Sequence, residues 1–194
     1  MPVVDETPGG GHAGRGAFGR CLARTRRFGG NEDGVTAIEF GLVAVPFFAL
    51  MFAILETAII FFAGQLLETA VGDTARLVRT GQAHEDGMSE SAFKTALCSR
   101  VFQLFDCENE LNVDVRTFPT FDSIDLSPPV DEDGNLITED FDFQIGEAGD
   151  IVVIRALYEW PVFVTMLGND LGNLANGKHL LSATAVFKNE PFPW

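Results

Sequence analysis

The chain has 194 residues, of which 28 are acidic and 13 basic, and its formal net charge at pH 7 is −15. Because nucleic-acid-binding surfaces carry an excess of positive charge, this balance argues against a nucleic-acid partner. The part that follows the most apolar stretch is roughly 125 residues long, which is enough for one domain with a single core.

Residues 1–34 are predicted to be a flexible cytoplasmic leader. The segment is rich in glycine, carries five arginines and has few large apolar side chains, so it cannot bury enough surface to fold alone. It contains a literal Gly-x-Gly-x-x-Gly at Gly9, Gly11 and Gly14. No strand pattern precedes this motif and no helix pattern follows it, so dinucleotide binding is not indicated.

An apolar run over residues 40–63 is interrupted only by Glu56. As a helix, such a run reaches about 36 Å, which exceeds the ~30 Å hydrocarbon core of a bilayer. A buried helix of a soluble protein is the alternative, but such helices seldom stay apolar on every face for this length. A cleaved secretory signal has a shorter core and ends in small residues. We therefore predict a retained transmembrane helix over residues 35–66.

The charges on either side of the run predict its orientation. The five arginines of the leader precede it, whereas residues 68–194 contain 22 acidic and 8 basic residues. The positive-inside tendency places the N-terminus in the cytoplasm and residues 67–194 outside, as an exported domain. The chain is thus expected to cross the bilayer once.

The helical pattern continues beyond the run and places four residues on one stripe. They are Leu67, Val71, Thr74 and Val78. Gly81 offers a stop, so one helix over about 35–80 is predicted. A second helix is predicted from Ser89, a plausible N-cap, to about Phe105, because apolar residues recur at helical spacing.

Cys98 and Cys107 lie nine positions apart in the exported part. In an oxidising compartment they are expected to form a disulfide, worth about 2.5–3 kcal/mol on the chain-entropy estimate. Two unpaired cysteines or half of a metal site are the alternatives, but no histidine accompanies them at ligand spacing. Cys21, on the inner side, is expected to be a free thiol.

Three segments alternate apolar and polar residues as half-buried strands do: residues 111–117, 151–160 and 181–188. A sheet with one apolar face needs helices packed on it. The predicted fold class is therefore α+β, with the long helix continuing into a domain in which a small three-stranded antiparallel sheet packs on helices.

The connection between the first two strands, residues 118–150, is predicted to be a solvated acidic loop with Phe141 and Phe143 as anchors. From residue 117 to 154 there are ten acidic residues and no lysine or arginine. Asp131, Asp133 and Asn135 resemble the start of a calcium loop, but a leucine stands where that loop needs glycine, and the closing glutamate is missing. A short helix over residues 161–168 is predicted in the next connection.

The sequence predicts no catalytic residues, no cofactor and no metal site. His84 and His179 are the only histidines of the exported part, and neither a nucleophile elbow nor a zinc-binding histidine pair occurs. The many carboxylates cluster in a loop without the contrasting environments that separate an acid from a base. We therefore expect the chain not to be an enzyme.

A series of short motifs extends along most of the chain. It consists of Asp33-Gly34-Val35-Thr36-Ala37-Ile38-Glu39-Phe40, Pro46, Glu56, Ala75-Arg76, Arg79-Thr80-Gly81 and Asn189-Glu190-Pro191-Phe192. Together with the paired cysteines, this series resembles the TadE-like family of tight-adherence (Flp) pilus assembly proteins. The resemblance covers residues 26–194.

The resemblance implies a pseudopilin of the bacterial inner membrane, with its C-terminal domain in the periplasm. A prepilin peptidase would cut it after Gly34, leaving Val35 as the new N-terminus and Glu39, followed by Phe40, as the fifth mature residue. The implied partners are the prepilin peptidase, other pilins or pseudopilins, the inner-membrane pilus assembly platform and the lipid bilayer. The resemblance leaves open whether the chain enters the fibre, initiates it or remains beneath it in the membrane.

Three residues of the predicted span carry hypotheses of their own. Glu39 is expected to pair with the amine of a neighbouring subunit where both are poorly hydrated; an ordinary interfacial carboxylate favoured by the helix dipole is the alternative. Glu56 is a second candidate assembly contact, unless it lies near the outer interface or is neutral. Pro46 is expected to kink the helix, or is simply a tolerated transmembrane proline.

We therefore expect a non-catalytic, minor pseudopilin-like subunit for assembly of a tight-adherence pilus. The exported domain is bulky and acidic compared with the small major pilins of such systems, which disfavours the main fibre subunit. The alternative is an unprocessed, single-pass membrane-anchored periplasmic domain that binds a partner or ligand through its acidic loop.

Overall fold

The computed structural model describes residues 34–101, 104–107, 109–163 and 171–192. The predicted leader apart from Gly34, the predicted free thiol of Cys21 and most of the helix predicted over residues 161–168 lie outside the described residues. The chain divides into two units, Met1–Phe47 and Phe48–Trp194, and each is considered by itself.

The first helix, α1, spans Val35–Arg79, which confirms the prediction of one long helix. Pro46 lies inside it, and helix continues on both sides of this residue. Large apolar side chains stay exposed along the first half, for example at Leu42, Phe47 and Phe52. Within the described residues, α1 is the one helix long and apolar enough to cross a membrane. Its first half is therefore a candidate span.

In the second unit, one face of α1 is buried. The buried residues recur every three or four positions and are Glu56, Ile60, Ala63, Leu67, Ala70, Val71, Thr74, Ala75 and Val78. This spacing puts them on one stripe of the helix. The stripe contains all four residues for which the sequence predicts a shared face.

Two short helices follow the turn at Gly81: α2 spans Gln82–Glu85 and α3 spans Glu90–Cys98. The Ser89 side chain accepts a hydrogen bond from the N–H of Ala92 at 3.3 Å and caps α3, as predicted. However, α3 ends seven residues before the predicted Phe105. After Cys98 the N–H of Val101 bonds to the carbonyl three residues back, so the helix tightens and ends.

The three predicted strands are confirmed as β1 (Leu111–Phe118), β2 (Ile151–Trp160) and β3 (His179–Lys188). They form an antiparallel sheet in the order β1-β2-β3. Val115 lies opposite Ile154, which in turn lies opposite Ala185. These side chains belong to the face that packs on α1 and α3, where Phe93, Leu97 and Leu67 are fully buried. The α+β fold class is thus confirmed.

The opposite face of the sheet is also covered, although the sequence predicts a solvated one. Leu157 of β2 is fully buried there, with Leu174 and Leu180. The acidic connection supplies the cover, because Val130, Leu136 and Phe141 pack on this cluster. Phe143 packs on the first face, where its ring lies 5.7 Å from that of Phe93. Both phenylalanines therefore anchor the connection, as predicted.

Candidate functional site

The segment predicted to be the processing site lies at the start of α1. Gly34 directly precedes the helix, and the side chains of Val35, Glu39 and Phe40 are exposed. The Glu39 carboxylate makes no hydrogen bond or ion pair within the described part of the chain. Its charge is thus available to a group outside these residues, at the edge of an apolar helix.

Within the described part of the structure, neither backbone conformation nor packing requires a glycine at position 34. Its φ is not positive, and a Cβ placed on it would meet no atom within 4 Å. Gly41 in the same unit is equally unconstrained. By contrast, Gly81 has φ of 80°, and a Cβ there would lie 2.6 Å from the ring of Phe192. Gly81 is required by the fold, whereas the reason for Gly34 must be sought elsewhere.

Glu56, the second predicted assembly contact, lies in a different environment from Glu39. It belongs to the second unit and is only 7% exposed. Its Oε1 atom accepts a hydrogen bond from the backbone N–H of Phe163, just after β2. This contact within the chain gives the buried carboxylate a hydrogen-bond donor, which lowers the cost of its burial.

The C-terminal motif contacts the end of α1. The N–H of Glu190 donates to the carbonyl of Arg79 at 2.9 Å, and the ring of Phe192 lies 5.8 Å from that of His84. Asn189 is buried, and its side-chain amide donates to the carbonyls of Ile145 and Glu147 at 3.0 Å each. Two motifs more than 100 residues apart in the sequence therefore form one structural unit.

A buried carboxylate organises the second face of the sheet. Asp114 of β1 lies opposite Arg155 of β2 and is bonded to its Nη2 atom at 2.7 Å. Arg116 Nε donates to the same carboxylate at 2.8 Å, and the N–H of Asp142 does so at 3.1 Å. Burial acts to raise the pKa of Asp114, but the bonds from Arg155, Asp142 and Arg116 outweigh it and lower the pKa below 3.8.

The same two arginines hold the acidic connection in place. Arg116 donates to the carbonyl of Asp140, and Arg155 donates to the carbonyl of Ser127 at 3.3 Å. The strands that the connection covers thus hold it through its backbone carbonyls, while the charges of both arginines are paired with Asp114.

The predicted disulfide is present between Cys98 and Cys107, whose Cα atoms are 6.1 Å apart. It links the end of α3 to the segment that enters β1. Lys178, which directly precedes β3, donates to the Glu110 carboxylate in this segment at 2.7 Å. The covalent link and the ion pair therefore fix the entry to the sheet.

The calcium-like stretch forms a turn closed by its own side chains. The Asp131 carboxylate accepts hydrogen bonds from the N–H and the side-chain amide of Asn135, and Gly134 in this turn has φ of 86°. No group of three or more candidate metal ligands occurs among the described residues. His179 lines a groove of about 530 Å³ beside α1, and its Nδ1 atom lies 2.6 Å from the carbonyl oxygen of Leu171.

The structure thus keeps the predicted site residues in separate places. Gly34, Val35, Glu39, Phe40 and Pro46 belong to the first unit, while Glu56 and the disulfide belong to the second. Sequence reasoning missed the hydrogen bond between Phe163 and Glu56, because the two are 107 positions apart and no local pattern connects them. It also missed the pair of Asp114 and Arg155, which depends on strand register.

Over the described residues, fold and site together define one candidate membrane-spanning helix that continues into an α+β domain. The model of the TadE-like protein family matches residues 34–76, which cover most of α1. This match confirms the resemblance to the TadE-like family, and the family implies involvement in tight-adherence pilus assembly. Neither a curated protein nor a solved structure matches the chain.

Proposed function

We propose that the chain is a non-catalytic, minor pseudopilin-like subunit of a tight-adherence pilus assembly system, cut after Gly34 by a prepilin peptidase. The lipid bilayer, other pilins and the inner-membrane assembly platform are its proposed partners. In this proposal the N-terminus lies in the cytoplasm and the exported domain in the periplasm, as the charge asymmetry of the sequence favours.

The observation that carries the proposal is that three features occur together at the start of α1. The family match begins at residue 34, α1 begins at Val35, and Glu39 one turn later is exposed without a partner in the described chain. Gly34 itself is not required by backbone conformation or packing among these residues. Recognition by a peptidase supplies a reason for that glycine which the described fold does not.

Cutting after Gly34 would change the chemistry of this end of the helix. It would remove the five arginines of the leader and create an ammonium group at Val35, within one helical turn of Glu39. When such helices stack side by side at the bilayer edge, the carboxylate of one subunit can pair with the amine of another. Because an unpaired charge in a poorly hydrated site costs several kcal/mol, this pairing would select the register of stacking.

The size of the second unit supports a minor role. Its sheet is covered on both faces, and the acidic connection supplies part of the cover on the second face. Such a domain is suited to contact other subunits at an end or base of the fibre. The carboxylates exposed on this connection would keep copies of the domain apart by like-charge repulsion.

The test is the intact mass of the membrane-extracted protein, produced with and without a prepilin peptidase. We expect loss of residues 1–34 in the presence of the enzyme, and retention in Gly34→Ala. Gly41→Ala is the matched control, because it makes the same chemical change at an equally open helical position and should be processed normally. Retention of residues 1–34 in wild-type protein with active peptidase would favour the unprocessed anchored domain instead.

A further inference from the structure

The contact between Glu56 and Phe163 brings the exported domain back to the apolar part of α1. Phe163 follows β2 by three residues, and its N–H donates to the Glu56 carboxylate. Both residues belong to the second unit, so this contact is internal to one compact body. The position of Glu56 along the helix therefore fixes the position of the segment that follows β2.

If α1 crosses the bilayer with the hydrocarbon core beginning between Val35 and Phe40, that position falls at the outer boundary of the core. A core of about 30 Å accommodates about 20 helical residues. If the core begins at Val35, its outer boundary falls near Ile54; if it begins at Phe40, the boundary falls near Ile59. Glu56 lies between these limits. A segment bonded to its carboxylate cannot be held away from the membrane in the aqueous phase.

The exposed surface around the contact is apolar. Leu55, Ile59 and Phe62 of α1 remain exposed there, and Phe163 is itself 79% exposed although its backbone is bonded to a buried carboxylate. The stretch of residues 160–163 carries no charge. An exposed phenylalanine beside a continuous apolar helix surface is a feature of surfaces that lipid covers.

The nearest charged group on β2 is neutralised before the chain reaches this level. Glu159 Oε2 lies 3.4 Å from Lys178 Nζ and accepts a hydrogen bond from the Asn176 side chain at 2.7 Å. Although the exported part is strongly acidic, no unpaired carboxylate of β2 is therefore brought toward an anionic lipid surface. Glu159 is the last charged residue of β2, and the four residues that follow it to Phe163 are uncharged.

We propose that the segment Pro161, Val162 and Phe163 lies in the outer boundary region of the bilayer, with the Phe163 side chain inserted among lipids beside α1. The hydrogen bond to Glu56 holds this segment beside α1 and thereby fixes the depth and tilt of the exported domain on the membrane. This inference rests on the proposed membrane anchoring, but it is independent of processing and of any pilus partner.

The experiment uses the full chain with Cys21→Ser, in which Phe163→Cys carries an environment-sensitive thiol label, in vesicles of phosphatidylethanolamine and phosphatidylglycerol. Quenching is measured with iodide on both sides, with nitroxide on the lipid headgroup and with nitroxide on the acyl chain. Labels at Phe52→Cys and Phe121→Cys are the lipid-facing and water-facing controls, because both side chains are about half exposed in the structure.

We expect the label at Phe163 to show blue-shifted emission, several-fold weaker iodide quenching than the label at Phe121, and strongest quenching by the shallow nitroxide. Because Phe163 is exposed, its replacement removes no core contact; Val162→Cys provides a second position with the same expectation. Iodide quenching equal to that at Phe121, while the Phe52 label is quenched by lipid, would overturn the inference and leave anchoring intact.

Two further results would also overturn it. Shielding of the Phe163 label from both iodide and lipid nitroxide would show that protein, and not lipid, covers the segment. Free access of iodide to the labels at Phe52 and Phe163 alike would show that α1 does not span the bilayer. In that case the proposed anchoring fails together with the inference, and the Phe52 label distinguishes this outcome from the others.

Discussion

The backbone N–H of Glu190 donates to the carbonyl oxygen of Arg79 at 2.9 Å, and the side chains of the two residues form an ion pair at 3.3 Å. The ion pair is more than half exposed, so it contributes little to stability. The backbone bond matters more, because it satisfies one of the last carbonyls of α1, which have no partner within a helix. The C-terminal motif therefore acts as a cap that holds the end of the long helix against the domain.

This cap predicts a specific sensitivity at Gly81. Gly81→Ala should lower the free energy of unfolding by roughly 2–5 kcal/mol, since it combines strain at φ of 80° with a contact of 2.6 Å to Phe192. Gly87→Ala is the control, because Gly87 has φ of 58° but open space around it. That variant should lose only about 1–2 kcal/mol. Denaturant unfolding of the detergent-solubilised chain measures both, and equal losses would rule out the contact with Phe192.

The network at Asp114 predicts a dependence of stability on pH. Its pKa is lowered in the folded chain, so the stabilisation is fully present above the unfolded value of about 3.9 and is lost as pH falls through the folded pKa. Asp114→Asn should cost about 3 kcal/mol at pH 7, because it leaves Arg155 without its charge partner. The difference from wild type should shrink below about pH 4.

Unfolding curves between pH 3 and 7 test this expectation. Asp122→Asn in the acidic connection is the control, because that side chain is exposed and makes no ion pair in the described structure. A constant difference between Asp114→Asn and wild type across this range would show that the carboxylate does not titrate in the way inferred from its bonds. Proteolysis within the connection should increase in Asp114→Asn, since both anchoring arginines lose their partner.

The sheet shows which parts of the fold the sequence could predict. The alternation of apolar and polar residues predicted all three strands, because one face of the sheet packs on α1 and α3. The cover on the other face was missed, although β2 carries apolar residues on both faces: Val153 and Leu157 are buried opposite Ile154 and Ala156. A nearly continuous apolar strand is typical of burial on both sides. That signal was available, whereas the identity of the covering segment depended on long-range packing of Phe141.

The candidate site was predictable only where its chemistry is local. The segment from Gly34 to Phe40 is less than two helical turns with a flanking glycine, so its character follows from adjacent residues. The contact of Glu56 with Phe163 depends on where the chain lies after it leaves β2. The contact of Glu190 with Arg79 depends on the whole domain between them. Side-chain periodicity carries no information about such contacts, because they are set by sheet register and connection length.

We predict that the disulfide contributes measurably to the free energy of unfolding, although the loop that it closes is short. Changing Cys98 and Cys107 together to serine should lower the free energy of unfolding by about 2.5–3 kcal/mol, because the unfolded chain regains the entropy of the closed loop. Reductant should destabilise wild type by a similar amount and leave the double variant unchanged. Cys21→Ser should respond to reductant as wild type does; loss of that response would indicate that Cys21 takes part in the bond.

Two variants of Glu56 can distinguish a role of this residue within the fold from a role in subunit assembly. Glu56→Leu removes the acceptor of the Phe163 N–H and should destabilise the domain by about 1–3 kcal/mol, whereas Glu56→Gln keeps a carbonyl acceptor and should cost less than half of that. If the charge itself also binds a platform or sister helix, both variants should insert normally but recover fewer assembly partners on co-purification. Normal recovery with Glu56→Gln, together with instability of Glu56→Leu, would assign the residue to the fold alone. Glu39→Gln is the complementary variant: its carboxylate has no bond in the described chain, so it should leave unfolding unchanged while reducing subunit association.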